Sequence, residues 1–149
     1  MQNQKDERIT IRWLAHHNPN RDDFDDHVFY FFNYAICIGC FSFVLGVTIG
    51  LIIGNIFYEI IANVISLPII LFFFIICWIP LIFQYSIQII RKKPQKNRTA
   101  KFFIRFLYPV GSIIFTFKSP LWGLGLSIIA GYLILYIRNL KNRTLKQVN

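Results

Sequence analysis

Between His27 and Arg91 the chain carries a single charged side chain, Glu59. No soluble core of this size holds a stretch of that length without charge. A bilayer does, because about 20 apolar residues suffice to cross its hydrocarbon. Charged residues make up only 15% of the chain, against about 25% in soluble domains. The fold class expected is all-α: a polytopic integral membrane protein of four transmembrane helices, with a short N-terminal segment at the cytoplasmic face.

Three parts are expected: an interfacial segment over 1–35, a membrane domain over 36–137 and a basic tail over 138–149. Residues 1–15 hold no apolar stretch of the kind a cleavable signal peptide needs. Asn18-Pro19-Asn20 reads as a turn, and Asp22, Asp23, Asp25 and Asp26 as the cap of a short helix over 24–34. The spans are expected at 36–60, 66–90, 102–117 and 121–137. The first holds Gly46, Gly50 and Gly54 at four-residue spacing, one stripe of a helix against which another backbone can pack closely. Gly123, Ser127 and Gly131 repeat that spacing in the fourth span, which makes it the favoured partner. The same stripe on a second copy would instead give a homodimer. Gly39 is expected outside the stripe, in the Cys37/Cys40 loop. Pro68 suits the first turn of the second span, and Pro80 interrupts its middle. Arg105 and Lys118 are expected as interfacial anchors.

The net charge of +9 is not read as a nucleic-acid signal, since the basic residues flank apolar spans. With four spans, both termini and the 91–101 loop share one side. That side then holds fifteen of the sixteen Lys and Arg residues, with Lys118 alone opposite. The positive-inside rule places it in the cytoplasm, and the lipid bilayer is the expected partner.

All three histidines and two of the three cysteines fall between His16 and Cys40. The order His16-His17, His27, Cys37-Ile38-Gly39-Cys40 supplies the ligand types that zinc binds in a tetrahedron. The ten-residue spacings allow the chain to fold back and bring the ligands together. The dipole of the first span favours thiolates at its start. A zinc or iron ion is the expected cofactor. The nearby aspartates are candidates to hydrogen-bond a ligating imidazole. Cys77 is expected to be a small apolar residue in its helix.

The His-His pair followed by Pro19, the Cys37-Ile38-Gly39-Cys40 run and Gly46 resemble the predicted membrane proteins grouped as domain of unknown function 2085, in a variant with a middle histidine at the place of His27. The resemblance covers about residues 13–50 closely and the remainder as hydrophobic topology. Gly39 stands where an Arg is common in that family, and Ser42 where a Gly is common. The family implies no activity, so the resemblance marks the His/Cys set without explaining it.

Three functions are open at this point. One is a membrane protein with a His/Cys metal site at the membrane surface. The second is a membrane thiol-disulfide oxidoreductase using Cys37 and Cys40. The third is a small transporter or channel. Whether the chain is an enzyme is undecided. The topology yields the first testable expectation: reporters fused at either terminus should read cytoplasmic, and a tag at Ser119 should be labelled from outside. An external N-terminus would reverse the assignment.

Overall fold

The computed structural model describes residues 24, 27–32, 34–91 and 97–146, with 141–146 as backbone alone. His16, His17, the Asn18-Pro19-Asn20 turn, the four aspartates and part of the basic loop lie outside the described residues. A hairpin of strands β1 (Val28–Phe31) and β2 (Tyr34–Cys37) leads into helix α1 (Ile38–Ile56). A π-helical turn (Ile60–Val64) precedes helix α2 (Leu67–Arg91), followed by α3 (Arg98–Lys118) and α4 (Pro120–Lys146). All four helices are long and apolar enough to cross a membrane. The 19 residues of α1 reach about 28 Å, close to the roughly 30 Å of a hydrocarbon core.

The hairpin corrects the helix expected over 24–34 and qualifies the all-α expectation. Its strands pair antiparallel, Val28 opposite Cys37 and Phe31 opposite Tyr34. Burial alternates along β2, where Ala35 and Cys37 are covered and Tyr34 is exposed, while in β1 exposure rises from the covered Val28 to the exposed Tyr30 and Phe31. Aromatic and β-branched residues suit such a half-buried pleated surface. Phe32, in the two-residue turn, has φ 45°. Two-residue hairpin turns that match the strand twist need positive φ, usually supplied by Gly or Asn.

The third apolar segment, the least hydrophobic of the four, becomes the centre of the bundle. Helix α3 packs against α1, α2 and α4. The side chain of Asn97 caps it, accepting a 3.2 Å bond from the Ala100 N–H. The core between α2 and α3 contains Phe74, Trp78, Leu81, Val110, Ile114 and Phe115. Trp78 Nε1 donates to Ser112 Oγ at 3.1 Å, which satisfies the indole where no water is available. Helix α2 continues through Pro80. Helix α4 extends past the expected span into the basic tail. At the far end of the bundle, Lys118 Nζ donates to the Ala62 carbonyl at 2.7 Å. The π-helical turn is thereby tied to the last turn of α3, where a cation also complements the helix dipole.

The glycine stripe of α1 faces α3 and not α4, a correction to the expected pairing. A Cβ on Gly46 would lie 2.5 Å from the Phe106 carbonyl oxygen and 2.7 Å from Pro109 Cγ. At Gly54 it would meet the Phe117 ring, and at Gly50 Ile113 Cβ at 3.2 Å. Gly39 faces α3 as well, two turns before Gly46, so it extends the stripe rather than standing outside it. Helix α3 of the same chain lies against the surface expected first to take α4 and, as the alternative, a second copy. On α4, Gly123 abuts the Thr116 backbone, but a Cβ on Gly131 would meet nothing within 4 Å. A spacing of small residues shows that a helix admits close approach, not which helix approaches.

This contrast generates a paired prediction. Gly46→Ala should destabilise the bundle by about 1–3 kcal/mol, because its contact is backbone and a proline ring that cannot swing away. Gly131→Ala should be neutral or stabilising by up to about 1 kcal/mol, the helix-propensity difference. Thermal unfolding in detergent checks both, and equal effects at the two sites would refute the assignment of the stripe.

Candidate thiol and metal site

Strand β2 runs into α1 without a linker, so Cys37 is both the last strand residue and the N-cap of the helix. Cys40 follows one turn later on the same face. Neither cysteine is in a disulfide, and their side chains are in hydrogen-bond contact. Cys37 is 1% exposed, beneath the strand pair it makes with Val28, and Cys40 is half-buried. Cys77 lies apart from them in α2, packed against Gly111 of α3.

The hairpin also performs the fold-back that the His/Cys spacing requires. The Ile38 N–H donates to the His27 carbonyl at 2.9 Å, so His27 returns to the level where the two cysteines begin α1. Among the described residues, no three His, Cys, Asp or Glu side chains group closely enough to hold a metal ion. His16 and His17, the remaining candidate ligands, lie outside the described residues. The donor chemistry of the thiol pair suits two ligands of one ion. Two sulfurs on a tetrahedral zinc lie about 3.8 Å apart, given Zn–S bonds of about 2.3 Å.

Arg105 is the residue that sequence reasoning placed elsewhere. Its guanidinium lies directly over Gly39, between the two cysteines, in the space a Cβ would take. It acts electrostatically on Cys40 and on Tyr108, and Tyr108 in turn on Tyr85 of α2. Thus α1, α2 and α3 each contribute to one polar cluster. Gln84, Gln88 and Lys101 are buried polar side chains of the same two helices, in the halves nearest the hairpin. Gln84 Oε1 accepts no hydrogen bond among the described residues. Two signals for Arg105 were present in the sequence: a glycine between the cysteines, and an arginine inside an apolar segment. Neither names the other as its partner.

Comparison with protein-family models, curated proteins and solved structures finds no match to the chain. The resemblance to the domain of unknown function 2085 proteins therefore rests on the motif residues themselves.

The contact between Gly39 and Arg105 is testable as a coupling. Gly39→Ala must displace the guanidinium, a flexible group, so it should cost less stability than Gly46→Ala. In an Arg105→Ala background that cost should shrink further. Residues in contact commonly couple by about 0.5–3 kcal/mol, and a double-mutant cycle measured by denaturation in detergent should fall in that range. Strict additivity would place Arg105 away from Gly39.

Proposed function

We propose that this integral membrane protein binds a zinc or iron ion at the membrane surface, where the hairpin meets α1. Cys37 and Cys40 supply two ligands, and His27 with His16 or His17 supplies the rest. The observation that carries this reading is the contact between two thiols, neither in a disulfide, at a strand-to-helix junction. The fold-back of the His27 backbone onto Ile38 supports it. His27 would need to turn its imidazole toward the thiols, a rotation that its place just before the strand pairing allows. The ion would be structural or sensory, holding the N-terminal segment on the first span. Both termini would be cytoplasmic, where the thiols stay reduced and available.

The position of Arg105 favours a second reading, a thiol-disulfide oxidoreductase. A guanidinium beside a Cys-x-x-Cys pair is the electropositive setting in which reactive cysteines occur. Metal content separates the two. Protein purified in detergent, under reducing conditions and without chelators, should contain about one metal ion per chain, as a single tetrahedral site requires. Cys37→Ser with Cys40→Ser should abolish it, and His27→Ala should weaken it. A metal-free wild-type protein whose two thiols oxidise reversibly to a disulfide would overturn the metal reading in favour of the redox one.

A further inference from the structure

We propose that the β1–β2 hairpin is an interfacial anchor, with one apolar face and its tip seated at the boundary between lipid headgroups and acyl chains. The pairing register puts Phe29 and Ile36, then Phe31 and Tyr34, on one face of the hairpin. The opposite face carries Val28, Ala35 and Cys37, which are buried, and Tyr30 near the tip, which is exposed. The first face is partly or fully exposed, and the tip residue Phe32 is 81% exposed. No residue from Val28 to Cys37 is charged. A surface of this kind is costly in water, and aromatic rings are the side chains that settle at a membrane interface.

Two observations identify lipid as the occupant. First, the hairpin joins a membrane span with no linker, so it cannot leave the bilayer surface. Second, its exposed face is continuous with the outer surface of the bundle. The Phe29 ring meets Phe41 of α1 edge-on at 5.2 Å, and Phe41 meets Phe102 of α3 at 6.4 Å. Phe103, beside Phe102, is itself exposed. A row of rings thus runs from the helix surface that faces acyl chains out to the hairpin. The strands also set the depth. Among the described residues each has one edge without a strand partner in this two-stranded sheet, and open sheet edges are not tolerated within hydrocarbon. The hairpin therefore lies along the headgroup boundary rather than plunging into the core. This inference is independent of the metal and of which side is cytoplasmic.

Fluorine NMR on the full chain in lipid nanodiscs tests it. Trifluoromethyl-phenylalanine is placed at Phe32, and at Phe115 as a buried reference. The probes are a water-soluble nickel chelate and a phospholipid carrying a nitroxide on its upper acyl chain. The nitroxide lipid should broaden the resonance at position 32 several-fold more than the nickel chelate does, and neither should affect position 115. Broadening by nickel alone would mean that the tip stands in water and would overturn the proposal. Broadening by neither would mean that a second copy or another protein covers the tip, which would overturn it equally. As a second measurement, Phe31→Asn with Phe32→Asn should speed amide exchange in the hairpin and leave exchange in the α2–α3 core unchanged. Unchanged hairpin exchange would count against the anchor.

Discussion

The seam between α1 and α3 is the contact on which the rest of this molecule depends. In lipid no hydrophobic force drives two helices together, so close packing has to replace it. Gly46, Gly50 and Gly54 allow α1 to approach the α3 backbone until the Phe106 carbonyl and Pro109 occupy the space of a missing side chain. The two helices run parallel: residues further along α1 meet residues further along α3. Gly39 belongs to the same face, two turns before Gly46, and the residue that meets it is Arg105. The register that packs the glycines thus also delivers a guanidinium to the thiol pair. Pro109 contributes a second time, because it has no N–H to offer the Arg105 carbonyl one turn earlier.

Much of this was legible from composition. The near absence of charge from His27 to Arg91, and the basic clusters around it, fix the number of spans without any packing information. The His/Cys clustering likewise pointed to the junction where Cys37 and Cys40 come into contact. What stayed hidden was partner choice and short-range period. The spacing of Gly46, Gly50 and Gly54 reads the same whether the neighbour is α3, α4 or a second chain. The partner that fills the groove offers a proline, a carbonyl and phenylalanines, not a matching small-residue stripe. The run from Val28 to Cys37 is apolar at nearly every position. Such a run cannot be told from a helical turn by periodicity, and its turn uses Phe32 where a glycine would have signalled a hairpin. The expectation that Arg105 serves as an anchor followed from its place in an apolar segment near a basic loop. Only the three-dimensional seam relates it to Gly39.

The hairpin gives the thiol pair its surroundings. Val28 and Ala35 cover the side of β2 that carries Cys37, while the opposite face presents its rings outward. Cys37 is thus enclosed even though it lies at the extremity of a span, where a bare helix start would be open to water and headgroups. Cys40, one turn deeper, keeps partial exposure. The pair is therefore asymmetric, with one sulfur buried under the sheet and the other partly exposed. An incoming ligand or oxidant would meet Cys40 first.

The two ends of the bundle differ in kind. At the far end, Glu59 accepts a bond from Asn63 at 2.8 Å and Lys118 binds the Ala62 carbonyl, so its polar groups are engaged locally around the π-helical turn. At the hairpin end, Gln84, Gln88 and Lys101 are buried in α2 and α3, and Arg105 and Tyr108 act on Cys40. Placing polar and cationic groups inside a membrane protein is costly, and they are retained mainly where they face an interior or an aqueous edge. Here that cost is moderated in two ways: the groups lie within a few turns of the helix ends, and protein covers them rather than lipid. The parallel helices α1 and α3 both begin at this end, so the positive ends of their dipoles add to the charges of Lys101 and Arg105. A guanidinium set against Gly39, between the two cysteines, fills space that an apolar side chain could fill without that cost. The weight of any functional account therefore falls on this end of the bundle.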